Sequence, residues 1–159
     1  MRQMRLLFVC TGNICRSPTA EAVMRKLVEE AGLQGMIFVD SAGTSSYHCG
    51  DAPDQRSCDC AAKFGVDLGD LRSRPVRAED FAAFDLILAM DGQNVWNLEQ
   101  KRPQGDPRYA KAQVQKLLTY APEYGEDVPD PYYRDGFDRV FLMIETACRN
   151  LLAELQTKL

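Results

Sequence analysis

Chemically reactive side chains are concentrated in the stretch from Cys10 to Ser17, which reads CTGNICRS. It contains two thiols, Cys10 and Cys15, and the guanidinium of Arg16. An apolar run ends just before this stretch and a helix-like pattern begins just after it, which predicts a loop between a buried strand and a helix. Backbone N–H groups at a helix start have no partner inside the helix and lie at the positive end of its dipole. The stretch therefore predicts an anion-binding loop with a thiol beside it.

The residue types in this loop are those that phosphoryl transfer to sulfur requires. Gly12 and Asn13 readily adopt the positive φ that a tight concave loop needs, and the planar fork of Arg16 can bind two phosphate oxygens at once. A field that binds phosphate also stabilises a thiolate, so Cys10 is predicted to be a nucleophile that needs no histidine base. Ser17 could donate a hydrogen bond to the sulfur. Arg16 and the loop amides would stabilise the charge on the phosphoryl oxygens.

A phosphate ester also needs an acid that protonates its leaving oxygen, and Asp130 is the candidate. It lies between Pro129 and Pro131, which restrict the backbone on both sides. Tyr132 and Tyr133 follow directly and could form the wall of an aromatic pocket. From these residues alone, a surface Pro-Asp-Pro turn remains an open alternative.

The elements that would position these residues alternate between strands and helices. Continuous apolar runs predict buried strands at 4–9, 36–39 and 85–90. Helical patterns predict a helix that starts near Ser17 and stops at Gly32, and further helices at about 55–64, 78–81, 92–100 and 137–155. Residues 113–120 fit either a strand or a helix. Glu21 is expected to place a negative charge near the positive end of the first helix.

This alternation predicts an α/β fold with a doubly wound parallel sheet, in one domain that spans residues 1–159. In such sheets, ligands bind beyond the carboxyl ends of the strands. Cys10 follows directly on the first predicted strand. The reactive loop therefore lies where a ligand site is expected.

Composition and charge argue against several classes of function. The formal net charge is −4 and no basic stripe is present, so no nucleic-acid partner is expected. No apolar run is long enough for a signal-peptide core or a membrane span, which predicts a cytoplasmic protein without a membrane partner. The six cysteines are expected to be free thiols. The absence of heptads predicts a monomer.

The sequence resembles the low-molecular-weight protein tyrosine phosphatases along essentially the whole chain. The similarity lies in the loop CTGNICRSP, in DSAGT at 40–44, in the FD and MD pairs at 84–85 and 90–91, and in DPY at 130–132. The resemblance implies a four-stranded parallel sheet with helices on both faces. It also implies that the substrates are tyrosine-phosphorylated proteins and that no metal or organic cofactor is needed.

The resemblance further implies a role for each matching residue. Cys10 would form a phosphocysteine intermediate, Arg16 would bind phosphate, and Asp130 would first donate and then accept a proton. Asn13 and Ser41 would hold the shape of the loop, with Ser17 as the partner of the thiolate. The expected substrate-binding residues are Thr11, Gly12, Asn13, Ile14, Cys15, Ser17, Tyr47, Tyr132 and Tyr133.

By the same resemblance, Cys15 is expected to form a disulfide with oxidised Cys10, which would protect it from overoxidation. The alternative is that Cys15 is simply a small loop residue. Two positions depart from the family pattern. Leu71 stands where many members carry a buried histidine, and Gly92 stands where some members carry a second acidic residue.

Other functions remain as alternatives. A thiol-linked arsenate reductase of the same fold would use the same anion loop, but it needs further cysteines after the third strand, and residues 85–97 contain none. A metal-binding or scaffold module would use His48, Cys49, Cys58 and Cys60, although Cys58 and Cys60 are closer in sequence than paired zinc ligands usually are. A binding module without activity is disfavoured because all three catalytic residue types are present. Packing is the ordinary explanation for Cys49, Cys58, Cys60 and Cys148.

Overall fold

Residues 3–159 are described by a computed structural model in which four parallel strands form one sheet, in the order β2-β1-β3-β4. The strands are β1 (Met4–Cys10), β2 (Ile37–Gly43), β3 (Leu86–Ala89) and β4 (Gln113–Lys116). The helices are α1 (Arg16–Glu30), α2 (Gln55–Lys63), α3 (Asp80–Ala83), α4 (Gly92–Lys101) and α5 (Phe137–Gln156). The predicted α/β fold with a four-stranded parallel sheet is confirmed.

The side chains of β1 alternate between the two faces of the sheet, as the period of a strand requires. Leu6 and Phe8 pack against residues of α1, α2 and α5 on one face. Leu7 and Val9 pack on the other face, against Phe81 and other residues of α3 and α4. These four β1 residues are fully buried. Because helices cover both faces, the strand is continuously apolar instead of alternating with polar residues.

Several boundaries differ from the predictions. The second strand continues through the polar stretch at 40–43, because β2 pairs with β1 in register as far as Cys10 and Gly43. Residues 113–120, which fit either element, divide into β4 and a turn of 3-10 helix at Leu117–Tyr120. The first helix begins one residue early, at Arg16, and Gly32 follows it with φ +71°.

The expectation for Glu21 was wrong. This residue lies beyond the first turn of α1, and its side chain is only 3% exposed. Its carboxylate accepts a hydrogen bond from the Ser41 hydroxyl of β2, at 2.5 Å. Glu21 therefore joins a helix to the sheet instead of balancing the helix dipole.

The C-terminal helix α5 packs along α1 over the sheet. It buries an apolar stripe at helical spacing that includes Val140, Ile144 and Leu151, while Arg149 on another side remains exposed. Within residues 3–159, no helix has both the length and the apolar character needed to cross a bilayer.

Candidate active site

The reactive loop lies at the carboxyl ends of two neighbouring strands. Cys10 is the last residue of β1, and Arg16 is the first residue of α1. The adjacent strand β3 leads into Asp91, the N-cap residue of α4. β1 is the strand at which the order of the sheet changes direction, the position where doubly wound sheets bind ligands.

An open pocket of about 510 Å³ brings together residues from distant parts of the sequence. Cys10, Arg16 and Asp130 all line it. The other lining residues are Thr11, Gly12, Ile14, Cys15, Ser45, Tyr47, His48, Tyr132 and Tyr133. Asn13 and Ser17 do not line the pocket but are buried behind it.

The pocket has a small polar floor, formed by the loop from Cys10 to Arg16, and an aromatic mouth. Tyr47 and Tyr133 are each 86% exposed. His48 contacts the edge of Tyr47 at 4.8 Å between ring centroids and lies 6.1 Å from the ring of Tyr132. Such a mouth suits a flat aromatic group attached to an anion bound on the floor.

The sulfur of Cys10 accepts hydrogen bonds from within its own loop. The backbone N–H of Asn13 lies 3.2 Å from Sγ, and the hydroxyl of Ser17 lies 3.0 Å from it. Ser17 Oγ accepts a hydrogen bond of 2.7 Å from Asn13 Nδ2, and its own single hydrogen can be donated to the sulfur or to the more distant carbonyl of Ala42, at 3.4 Å. Both groups are therefore placed to donate to the sulfur.

The carbonyl groups of the loop point away from the pocket. Those of Cys10 and Thr11 accept hydrogen bonds of 2.9 and 3.0 Å from the backbone of residues 44 and 45. The carbonyl of Gly12 accepts from the Ser73 hydroxyl at 3.0 Å, and that of Ile14 from the backbone N–H of Asp54 at 2.8 Å. Since N–H and C=O point in opposite directions in a peptide unit, the loop N–H groups are turned towards the enclosed side.

Asn13 supports this backbone shape from behind. Its φ is +58°, and it is the only residue other than glycine within 3–159 that has a positive φ. Its side-chain amide donates to the Ser41 hydroxyl at 3.0 Å, and its carbonyl oxygen accepts from the backbone of Arg74 at 3.0 Å. The structure thus brings together the pair Asn13 and Ser41 that the sequence analysis singled out.

A buried carboxylate continues this chain of hydrogen bonds to the surface. Ser41 donates to Glu21, which also forms an ion pair with Arg25. Burial raises the pKa of Glu21, and the hydrogen bond from Ser41 and the charge of Arg25 oppose that rise only in part.

The guanidinium of Arg16 is buried, with 2% of the side chain exposed. Its Nη1 donates to Asp91 Oδ2 at 2.7 Å and to the carbonyl of Val128 at 2.9 Å. Burial alone would lower the pKa of Arg16, but Cys10 and Asp91 outweigh it and raise that pKa. Among the described residues, none accepts a hydrogen bond from the buried Nε, which leaves this donor for an anion in the pocket.

Asp130 lies opposite this floor. Its Oδ1 accepts a hydrogen bond of 3.0 Å from the backbone N–H of Tyr132, and its Oδ2 lies 3.6 Å from Arg16 Nη2. The side chain is 39% exposed, so the second oxygen can reach both a substrate and water.

Several supporting residues were missed by the sequence analysis. Asp91 holds Arg16, Asn94 donates to the Thr11 hydroxyl at 3.1 Å, and Ser73 bonds the loop backbone. Asp91 could have been found from the sequence, because it directly follows the predicted strand at 85–90. The carboxyl ends of parallel strands lie at one edge of the sheet, so Asp91 is expected at the same edge as Cys10. The others depend on tertiary packing.

The two departures from the family pattern lie outside the pocket. Leu71 is partly buried and packs against the core on the α1 and α5 side of the sheet. Gly92 begins α4, and a Cβ at this position would lie 3.6 Å from Lys116 Nζ.

The structure does not bring the remaining cysteines together as a metal site. Within residues 3–159, no group of three or more His, Cys, Asp and Glu side chains is placed to hold an ion. Cys60 donates its thiol hydrogen to Asp138 at 3.1 Å, Cys148 is buried in the core, and Cys49 is exposed. The metal-binding alternative therefore has no support in the described part of the chain.

Comparisons of the sequence and of the fold matched known proteins. The family model described as low molecular weight phosphotyrosine protein phosphatase matches residues 5–159. A human protein of that name is 41% identical over 149 residues, with 92% of each chain covered. A crystal structure of a protein tyrosine phosphatase from Entamoeba histolytica superimposes with a TM-score of 0.89 at 41% identity, covering 98% of this chain and 99% of that one. A Drosophila arginine phosphatase superimposes with a TM-score of 0.88 at 35% identity, covering 96% and 98%.

Proposed function

The chain belongs to the low molecular weight phosphotyrosine protein phosphatase family, a family of hydrolases, and we propose that it hydrolyses phosphotyrosine through a phosphocysteine intermediate on Cys10. The observation that carries the proposal is that Cys10, Arg16 and Asp130 line a single pocket with an aromatic mouth. These side chains supply a nucleophile, an anion-binding group and an acid.

In the first step, the thiolate of Cys10 attacks phosphorus and the bond to the phenolic oxygen breaks. The N–H groups of the loop and the free Nε of Arg16 stabilise the negative charge on the phosphoryl oxygens. Protonated Asp130 donates its hydrogen to the leaving phenolate, so that neutral tyrosine departs. The carboxyl is near enough to the floor for this role, since Oδ2 lies 3.6 Å from Arg16 Nη2.

In the second step, water attacks the phosphocysteine and the bond between sulfur and phosphorus breaks. Asp130, now a carboxylate, accepts a proton from the attacking water, and inorganic phosphate leaves. The hydroxyl of Ser17, 3.0 Å from the sulfur, stabilises the thiolate as it forms again. Asp130 is thereby returned to its protonated state, and the cycle is complete.

The pocket walls favour an aryl phosphate as substrate. The rings of Tyr47, Tyr132 and Tyr133 can pack against the flat ring of phosphotyrosine, whereas phosphoserine is too short to reach them. The similarity to an arginine phosphatase makes phosphoarginine a necessary comparison. Its guanidinium would need acidic partners, and among the residues that line the pocket only Asp130 carries a carboxylate, which the proposed mechanism uses as the acid.

The decisive experiment compares matched peptides that carry phosphotyrosine, phosphoserine or phosphoarginine, with p-nitrophenyl phosphate as a reference and a chelator present throughout. We expect hydrolysis of the phosphotyrosine peptide, loss of activity in Cys10→Ser and a loss of about a hundredfold or more in Asp130→Ala. Retained activity in Cys10→Ser would contradict the mechanism, and preference for phosphoarginine would contradict the substrate class. Activity that disappears with the chelator would contradict a reaction without metal.

We also propose that the protein works as a monomer in the cytoplasm, on tyrosine-phosphorylated proteins. The six free cysteines support a reducing compartment. Sedimentation at working concentration would test the monomer, since a dimer would have twice the mass.

The proposal includes a protective disulfide between Cys10 and Cys15. Hydrogen peroxide would oxidise the Cys10 thiolate to a sulfenic acid, and the Cys15 thiolate would then form a bond to that sulfur and displace hydroxide, which takes up a proton and leaves as water. Burial raises the pKa of Cys15 to about 12, so the thiolate is scarce near neutral pH and the step should quicken as pH rises. After peroxide and then dithiothreitol, Cys15→Ser should recover much less activity than the unaltered protein. Equal recovery would rule out this role.

A further inference from the structure

We propose that Arg56 is a positioning residue that holds Asp130 over the anion-binding loop, an inference that rests on the proposed role of Asp130 as the acid. Arg56 is the second residue of α2 and does not line the pocket. It acts through a continuous set of contacts that starts at the loop and ends at the carboxylate.

The first part of this set attaches α2 to the loop. The backbone N–H of Asp54, the N-cap residue of α2, donates to the carbonyl of Ile14 at 2.8 Å. The Asp54 carboxylate is 13% exposed and bonds Arg56 with both oxygens, at 3.0 Å to Nε and 2.9 Å to Nη2. This bidentate pair lowers the pKa of Asp54 and fixes the plane of the guanidinium.

The second part joins the guanidinium to the segment that carries the acid. Nη2 of Arg56 also donates to the backbone carbonyl of Tyr132 at 3.0 Å. The guanidinium carbon lies 5.5 Å from the centre of the Tyr132 ring and 4.8 Å from that of Phe137, the first residue of α5. Within the described part of the chain, no other hydrogen bond reaches residues 130–135 from outside that segment.

The last contact is a hydrogen bond between the backbone of Tyr132 and the carboxylate of Asp130. The backbone N–H of Tyr132 donates to Asp130 Oδ1 at 3.0 Å, which orients the carboxylate. With Oδ1 held in this way, Oδ2 is the oxygen that lies near Arg16. Loss of Arg56 should therefore leave the anion floor intact and let Asp130 move, and displacements of about 1 Å cost up to a hundredfold in rate.

The chain offers a matched control. Arg108 resembles Arg56 locally, because its Nε and Nη2 bond the carboxylate of Asp106 two residues before it, both at Oδ2, at 3.1 and 2.9 Å, at the start of a 3-10 helix. Its guanidinium also lies over a tyrosine ring, that of Tyr109, at 5.1 Å. Within residues 3–159, no hydrogen bond links Arg108 to residues 130–135, so Arg108→Ala loses an arginine–aspartate pair and a ring contact of the same kind without the connection to the acid.

The test measures kcat/KM for aryl phosphates with leaving groups of different basicity, because a misplaced acid matters most for a basic leaving group. We expect Arg56→Ala to lose about tenfold with phenyl phosphate and at most about twofold with p-nitrophenyl phosphate. Competitive inhibition by inorganic phosphate should not change, since the floor is intact. Arg56→Lys keeps the charge but not the planar fork, so its kcat/KM for phenyl phosphate should lie between those of Arg56→Ala and the unaltered protein. Arg108→Ala should have the same kcat/KM as the unaltered protein.

The background of Asp130→Ala separates this inference from the proposed function. There, Arg56→Ala should cause no further loss, because the residue that it positions is gone. If Asp130→Ala itself showed no dependence on the leaving group, the acid assignment would fail and this inference with it. Two results would contradict the role of Arg56 alone, provided that Asp130→Ala does show that dependence. One is that Arg56→Ala lowers kcat/KM equally for all the aryl phosphates. The other is that Arg56→Ala lowers kcat/KM further in the background of Asp130→Ala.

Discussion

Replacement of Asn13 by alanine would show how much of the loop's shape depends on one side chain. Its φ of +58° is left-handed, which costs an alanine on the order of 1 kcal/mol. Its amide also makes three hydrogen bonds, to Ser17, Ser41 and the backbone of Arg74, each worth roughly 1 kcal/mol. Because Asn13 is 2% exposed, water cannot easily replace them. We expect Asn13→Ala to lower the free energy of unfolding by about 4 kcal/mol.

Urea unfolding measures this loss, and Asn13→Gly is the matched variant. Glycine adopts a positive φ without strain, so it should lose the hydrogen bonds alone and be more stable than the alanine variant by about 1 kcal/mol. In both variants kcat/KM for phosphotyrosine should drop more than about tenfold, since the Ser17 hydroxyl loses the donor that orients it. An alanine variant destabilised by less than about 1 kcal/mol, or no more than the glycine variant, would refute this account.

Three further substitutions probe the surroundings of the loop. In Gly43→Ala the new Cβ would lie 2.7 Å from the carbonyl oxygen of Thr11, so the loop must shift. We expect competitive inhibition by inorganic phosphate to weaken about tenfold or more. Gly35→Ala is the control, since its Cβ would have nothing within 4 Å, and it should have no effect. Burial raises the pKa of Glu21, so the folded state binds its proton more tightly than the unfolded state does. The contribution of Glu21 to stability is therefore present below its ordinary pKa and declines as pH rises through its pKa in the folded state. Urea unfolding at several pH values should show this decline, and Glu21→Gln should remove it. In Asp91→Ala the buried Arg16 loses its charged partner, which should lower the free energy of unfolding in urea by about 3 kcal/mol, and added phosphate should restore part of that loss.

The predictions that depended on local pattern succeeded, and the reason is burial on both faces. The runs at 4–9 and 85–90 are apolar throughout because helices cover both sides of the sheet, so their burial could be predicted without knowledge of the fold. The position of Cys10 at the end of such a run then indicated a site. β2 extended beyond its apolar run because pairing with β1, and not hydrophobicity, decides where it ends.

The contacts that escaped prediction join parts of the chain that no local pattern relates. Glu21 occupies a helix, where a carboxylate is usually solvated, and only the approach of Ser41 from β2 makes its burial possible. An Asp-X-Arg sequence at a helix start indicates a cap, which Asp54 is, but the second bond of Arg56 reaches Tyr132 only in the folded chain. The proximity of Asp130 to Arg16 likewise arises only in the folded chain.

The surrounding protein satisfies the outward-facing groups of the loop and so restrains its shape. Its carbonyls bond residues 44 and 45, Ser73 and Asp54, and its side chains bond β2 and α4. The N–H groups on the opposite side are therefore already oriented when an anion arrives, and no energy is spent on turning them. Asp130, the proposed acid, differs, since it is 39% exposed and is tied to α2 by the Arg56 contacts. A rigid floor with a less constrained acid fits a reaction in which the same carboxyl must donate a proton to one partner and accept one from another.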